Sequence, residues 1–389
     1  MRLPVRLLAL SATALLFGLP GADAQPRAPA AACGQADLEV RQSMQLDPAC
    51  RYTGMVTVTG SNLVLDCRGA VLDGEGKVRR TLRVGGTVGV ANVEIRNCVV
   101  TGSRSHGLEV GWGEADGRKP RGADGRTLYD GHPHDIRLTG LTVRRNGRVG
   151  IYLDDHVQNV TLADSRIEEN GGVGIYVTNG LRNSRIAGNR ITGNGRGREG
   201  GVPHADAGTR EGIALDGAID NVIEDNLLQD NAAGGIFLYR NCGEHPEDPA
   251  TDAPRLAPSR NILRNNTIEG GFVGIWVASR QERQYRPGEC RLVPDAAAGV
   301  FTDAAPGNQI LGNTLRQVGT GIRVADDSNI IRGNRILAVR TCLLLGSESR
   351  SRLGHPVQGL TVEDNQCLRG ELTTVPQTAV RAARNSMAR

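Results

Sequence analysis

One phrase, Gly-[Ile/Leu]-x-[Val/Leu], returns along this chain at Gly107, Gly150, Gly174, Gly212, Gly235, Gly274 and Gly321, with a degenerate copy at Cys342. Uninterrupted neighbours are 24, 23 and 21 residues apart; the other spacings, 38 to 47, read as the same unit enlarged by inserted loops. Within each unit lie two or three strand-length apolar alternations, separated by turns rich in Asn, Asp and Gly. The stretch 134–156 and its successor 157–180 display the unit most plainly. A rung this short, without a helical period, folds as a stack of parallel strands, because a single unit cannot bury its apolar face alone. The leucine-rich signature Leu-x-x-Leu-x-Leu is missing. The expected architecture is all-β, a parallel β-helix of about ten coils with inserted loops and terminal caps. Right-handed winding follows from the general hand of parallel β crossovers.

Such a core needs few large side chains. Aromatic residues make up 3% of the chain, and the interior is expected to be a column of Ile, Val and Leu. Asp164, Asn189, Asn226, Asn266, Asn313, Asn334 and Asn365 occupy one repeat position; Asn146, Asn170, Asn194 and Asn231 occupy a second. Asn tolerates left-handed backbone and bonds to neighbouring backbone groups, so stacked Asn side chains can form a ladder across coils.

The first residues have the form of a secretory signal: Arg2 and Arg6, an apolar run over 7–17, and an Ala-Asp-Ala cleavage site at 22–24. Residues 1–24 are therefore expected to be removed, with a periplasmic or secreted destination. The run is too short for a comfortable membrane span, and no later segment approaches one. Residues 25–52 are read as an N-terminal segment and cap, 53–370 as the β-helix, and 371–389 as a cap remnant or loose tail. Eight cysteines in an exported chain point to disulfides. Their order suggests Cys33 with Cys50, Cys67 with Cys98, Cys242 with Cys290, and Cys342 with Cys367. The net charge of +4, with both signs interspersed, leaves no basic stripe for nucleic acid.

Over residues 53–370 the chain resembles the right-handed parallel β-helix repeat proteins of the pectate-lyase-like superfamily. The resemblance rests on the repeated Asn-x-Ile-x-x-Asn-x-Ile and Gly-Ile-x-Val phrases. It implies the fold; activity is open, since this scaffold hosts lyases, epimerases, hydrolases and adhesins.

Strand alternation converts the phrase into a map of the outside. Its Ile and Val point inward, so the residue between them points out: Glu109, Tyr152, Tyr176, Ala214, Phe237, Trp276 and Arg323. Four of the chain's twelve aromatics thus fall in one exterior column. The next outward position holds Asp154, Thr178, Asp216 and Tyr239, with Asp155, Asn179 and Arg240 beside them. Insertions at 111–131, 195–210, 241–258 and 279–306 rise around the same face, where long loops on a regular scaffold are usually functional. An aromatic column flanked by carboxylates suits a sugar chain. Tyr152, Tyr176, Phe237, Tyr239 and Trp276 are expected to hold sugar rings, Arg240 and Arg280 to bind carboxylates of an anionic chain, and Trp112 to close the groove. The bland alternative is that inserted loops cover these aromatics and form a second small core.

For chemistry, the Asp154-Asp155-His156 run and Asp216 are the expected catalytic carboxyls, with His134 or His156 handling a proton. Two rungs put the Asp154 and Asp216 backbones roughly 10 Å apart, so leaning side chains reach the roughly 6.5–9.5 Å of an inverting glycosidase. The Gly-His-Gly and Arg-x-Lys signatures of polygalacturonase-like hydrolases have no counterpart. The tetrapeptide from His132 to Asp135 resembles the Asp-Pro-His-Asp motif of alginate C5-epimerases, a resemblance that implies His134 as base. His132 replaces the motif's first Asp, and Asp155 stands where the following strand should carry Arg. No metal site or cofactor is expected; the acidic stretch around Glu244, Glu247, Asp248 and Asp252 reads as a solvated loop. The function expected is processing of a polysaccharide by hydrolysis or by uronate elimination or epimerisation; the alternative is a non-catalytic carbohydrate-binding or cell-surface solenoid.

Overall fold

A computed structural model describes residues 37–86, 89–111, 129–197, 209–242, 256–281, 283, 290 and 300–387. Each full coil contributes three short strands. One coil carries His134–Thr139, Thr142–Arg144 and Ile151–Leu153; the next carries Gln158–Ala163, Arg166–Glu168 and Ile175–Val177. Each pairs in parallel with its equivalent one coil on: Ile136 with Val160, Val143 with Ile167, and Ile151 with Ile175. Stacking produces three strand columns. One is a separate sheet of twelve strands, from Met44–Gln45 to Val380–Ala383. The other two merge into a 22-stranded sheet, because strands such as Arg335–Leu345 run unbroken around the corner between them. The solenoid is longer than the repeat phrase implied. Pairing begins at Glu39 with Thr57, and residues 371–387, expected as a cap remnant or loose tail, still carry parallel strands such as Val380–Ala383 and Ser386–Met387.

The interior is one continuous aliphatic column. Ile136, Leu138, Val143, Ile151 and Leu153 of one coil are buried against Val160, Leu162, Ile167, Ile175 and Val177 of the next. Ladders of side-chain amides hold the corners. Asn146, Asn170, Asn194 and Asn231 form one: each Oδ1 accepts from the backbone N–H and the Nδ2 of the preceding Asn, at 2.9–3.1 Å. A second runs from Asn189 through Asn226, Asn266, Asn313 and Asn334 to Asn365 and Asn385. Its start differs from expectation. Ser165, not Asp164, takes the ladder position, accepting from Leu141 N–H and donating its own N–H to Asn189. Asp164 is the turn residue before it, with φ +51°, and the left-handed residues of this corner are likewise Asp225, Asn265 and Asp364, each preceding its ladder Asn. Left-handed backbone and ladder bonding are therefore divided between two adjacent residues. A third ladder, Ser184–Asn221–Asn261–Asn308–Asn329, went unnoticed in the sequence.

Cys67–Cys98, Cys242–Cys290 and Cys342–Cys367 are disulfides, as their order suggested. Cys50 is also disulfide-bonded; Cys33 and the expected signal segment lie outside the described residues. Among the described residues no helix is long and apolar enough to cross a membrane.

Candidate functional site

The exterior column forms in full. Glu109 pairs with Tyr152, Tyr152 with Tyr176, Tyr176 with Ala214, Ala214 with Phe237, Phe237 with Trp276, and Trp276 with Arg323. In strand Ile151–Leu153 the two aliphatics are fully buried while Tyr152 is half-buried. The phrase glycine is dictated by the neighbouring ladder: a Cβ on Gly150 would stand 2.7 Å from Asn170 Nδ2 and 2.8 Å from Ile167 Cγ2. Only a residue without a side chain lets the corner amide and the strand approach so closely.

The rings interact along the column. His106 stacks on Tyr152 at 4.4 Å, Tyr152 on Tyr176 at 5.6 Å, and Tyr176 meets Tyr239 edge-on at 6.5 Å. Phe237 meets Trp276 edge-on at 5.5 Å, and the Arg323 guanidinium lies 4.5 Å from the Trp276 ring centre. Phe237 and Tyr239 are buried with Val173, Ala214, Ala233 and Val273, whereas Tyr176 and Trp276 pack against that cluster half-buried. The face is thus both a second small core and an exposed aromatic edge.

Carboxyl groups are tied to these rings. The Tyr176 hydroxyl donates to Asp216 Oδ2 at 2.8 Å, and Asn241 donates its backbone N–H to Oδ1 at 2.9 Å and its Nδ2 to Oδ2. The Tyr239 hydroxyl donates to Glu211 Oε1 at 3.1 Å, and Asn241 Nδ2 also donates to the Tyr176 hydroxyl at 3.2 Å. Two tyrosine–carboxyl pairs, Tyr239–Glu211 and Tyr176–Asp216, therefore lie side by side, their rings in edge contact. Burial pushes the Glu211 carboxyl up from its ordinary range. Burial also raises the Tyr176 and Tyr239 hydroxyls, keeping both protonated. Asp154 and Asp155 are buried at the end of the Tyr152 strand, Asp154 Oδ1 accepting the Asp155 N–H at 2.8 Å. Burial, then the charges of Asp154 and Asp155, lift the Tyr152 hydroxyl well above its usual value.

Sequence reasoning missed Glu211, whose signal was weak: it directly precedes the Gly212 phrase, behind an insertion. It also passed over the surroundings of Glu109, whose carboxylate bonds His106 Nδ1 at 2.9 Å and pairs with Arg80. Burial alone would raise the Glu109 pKa, but these two partners hold it down at about 2. Asp303, likewise unremarked, accepts the backbone N–H groups of Arg240 and Arg280 at 2.8 and 3.1 Å, fixing both segments. Burial outweighs those donors and pushes Asp303 up to about 7.

Other expected residues stand elsewhere. His134 begins a strand of the twelve-stranded sheet, between Ala91 and Gln158, with Nδ1 2.8 Å from Asp135. The fold therefore places it on a different sheet from the aromatic column. The His156 ring faces Tyr129 at 5.4 Å and His132 at 5.5 Å. Trp112 and the acidic stretch with Glu244, Glu247, Asp248 and Asp252 lie outside the described residues. Among the described residues no three His, Cys, Asp or Glu side chains converge as metal ligands.

Beside these pairs opens a cleft of ≈ 340 Å³, bordered by Arg210, Glu211, Phe237, Tyr239, Trp276 and Arg280, with Gln281 and Arg283 at its wall. The Arg280 guanidinium lies 4.6 Å from the Tyr239 ring centre. Three arginines against the single carboxyl of Glu211 make this cleft suited to an anion.

The fold has known counterparts. The A-module of the Azotobacter vinelandii mannuronan C-5 epimerase AlgE4 superposes with a TM-score of 0.53 at 13% identity, over 90% of this chain and 87% of that one. The tailspike protein of E. coli bacteriophage HK620, in complex with a pentasaccharide, gives 0.52 at 12% identity, over 89% and 60%. A DFA-IIIase from Arthrobacter chlorophenolicus A6, in complex with DFA-III, gives 0.50 at 10% identity, over 90% and 86%. At these identities the likeness speaks for the fold alone. No curated protein sequence matches the chain. The family model described as right handed beta helix region matches residues 89–283, half of the chain. The chain belongs to the right-handed β-helix family.

Proposed function

We propose that this is an exported protein that binds an anionic polysaccharide along its aromatic face and processes it there, by elimination or epimerisation at a uronate residue. The observation that carries this reading is the placement of two tyrosine–carboxyl pairs, Tyr239–Glu211 and Tyr176–Asp216, beside a cleft bordered by Arg210, Arg280 and Arg283. Removing the proton beside a uronate carboxylate builds negative charge on that carboxylate, and fixed cations at the site offset it. Tyr176, held protonated and bonded to Asp216, is suited to deliver a proton. Asp154 and Asp155, facing the Tyr152 hydroxyl, are suited to accept one; the half-buried edges of Tyr152, Tyr176 and Trp276 would hold neighbouring rings. Disulfides in the described residues fit an oxidising compartment such as the periplasm. The likeness to sugar-binding and sugar-processing β-helix proteins lends general support.

The reading is tested on a panel of polyuronates and neutral polysaccharides, following unsaturated uronate, reducing ends and solvent deuterium entering the sugar ring. Unsaturated product or deuterium incorporation supports it. Reducing ends without unsaturation would make the protein a hydrolase, with Asp154 and Asp216 as the acid–base pair. A second reading, a non-catalytic sugar-binding solenoid, is favoured by the burial of Phe237 and Tyr239 in the small cluster and by the three bonds already engaging Asp216. Binding without any product would establish it.

A further inference from the structure

Gln281 closes a turn at the wall of the cleft. Its N–H bonds to Ala278 O at 3.0 Å, Ser279 N–H bonds to Leu238 O at 3.0 Å, and the Arg280 N–H is held by Asp303. Ala278 supports this turn from the left-handed region, φ +58°, a conformation costly for a residue with a side chain. The turn is therefore fixed at several points, and it places Gln281 at the wall of the cleft.

Gln281 is only 5% exposed, and neither its buried Nε2 nor its buried Oε1 has a hydrogen-bond partner. Trp276, which lines the same cleft, also has its Nε1 buried without a partner. Leaving a buried donor or acceptor unsatisfied is costly, so three such atoms on two residues lining one cleft mark a place where a ligand supplies the missing bonds. The required ligand offers donor and acceptor together beside a flat aromatic wall. A sugar hydroxyl, or a vicinal pair, does this: it donates to Gln281 Oε1 while accepting from Gln281 Nε2 or Trp276 Nε1.

We propose that Gln281, with Trp276 Nε1, is a specificity site that reads free ring hydroxyls of the sugar seated in this cleft and rejects O-acylated units. The proposal rests on the reading that this face binds a sugar chain. An acyl ester removes the hydroxyl proton and leaves Oε1 unpaired in the complex, which is how a hydrogen-bonding site discriminates strongly against a near-isostere.

The test is calorimetric titration of the full mature chain with matched oligouronates, one unsubstituted and one O-acetylated on its ring hydroxyls, alongside Gln281→Met and Gln281→Glu. Wild type should bind the unsubstituted chain at least about tenfold more tightly. Gln281→Met, close in length and apolar, should erase that preference by weakening the unsubstituted chain, while its melting temperature stays level or rises because two unpaired buried atoms are gone. Gln281→Glu keeps acceptors and loses the donor, and should also weaken the unsubstituted anionic chain. If Gln281→Met keeps wild-type affinity and preference, the role of Gln281 is refuted while sugar binding stands. If wild type binds neither chain, nor any other sugar of the panel, the broader reading falls and this proposal falls with it.

Discussion

The Tyr176 hydroxyl donates a 2.8 Å hydrogen bond to Asp216 Oδ2, joining residues 40 positions apart in the chain. Strand stacking makes this contact local: Tyr176 pairs with Ala214, and Asp216 ends that same neighbouring strand. If this pair moves a proton during turnover, Tyr176→Phe keeps the ring stack and loses the hydroxyl, with its transferable proton and the bond it accepts from Asn241 Nδ2. Initial rates should then fall about 100-fold, with oligosaccharide affinity within a few-fold of wild type. Equal losses in rate and affinity would assign Tyr176 a binding role only.

Trp276 carries the outer edge of the aromatic face, one coil beyond Phe237, with Arg323 on its far side. Trp276→Ala should weaken oligosaccharide binding by about 1–3 kcal/mol, as for other aromatic contacts to flat ligands, with a smaller loss in turnover at saturation. Titration calorimetry beside saturating rates separates the two effects; unchanged affinity would remove Trp276 from the groove.

Glu109 predicts a pH dependence of stability. Its folded pKa is about 2 against an ordinary 4.5, so its pairing with His106 and Arg80 stabilises the fold fully above pH 4.5. That contribution is lost as pH falls from 4.5 through 2. It amounts to about 3 kcal/mol, since one pKa unit is about 1.4 kcal/mol. Glu109→Gln should therefore be less stable than wild type near neutrality, and the gap should close on acidification. Urea unfolding at a series of pH values measures it; a gap constant with pH would refute the assignment.

Asn266 tests the ladders. It is fully buried, accepts from Asn226 N–H and Nδ2 at 3.1 and 3.0 Å, and donates to Ile223 O and Asn313 Oδ1. Asn266→Ala leaves the buried Asn226 groups without their acceptor and should cost about 3 kcal/mol. Loss should be concentrated in the adjacent coils, because stability in a solenoid is carried by nearest neighbours. Hydrogen exchange of the Ile223 and Ile268 strands, with thermal unfolding, reads both.

Much of this molecule was legible in one dimension. Two stacked coils repeat the same inward and outward alternation, so register follows from aligning Gly150 with Gly174, and the line from Glu109 to Arg323 follows with it. The order of cysteines foretold three disulfides because consecutive coils are spatial neighbours. Corners were harder. Asp164 and Ser165 are adjacent polar residues, and composition could not tell which one turns the chain and which one bonds inward; the φ of +51° at Asp164 settled it.

What only the tertiary structure decided is the side-chain chemistry between coils. Alternation placed Asp216 and Tyr176 on one face, but a rung separation does not reveal which hydroxyl bends toward which carboxyl. Glu211 escaped notice because it follows an insertion and its environment is made by Tyr239, one coil away. Gln281 escaped for a related reason: its importance lies in bonds it does not make, which no residue pattern records. His134 was placed near the column by a local motif, whereas the corner between strands carries it to another sheet. The period of the repeat determined the scaffold, because backbone pairing and apolar burial depend on position alone. Burial, ring contacts and hydrogen-bond partners depend on three dimensions at once, and they decided the site.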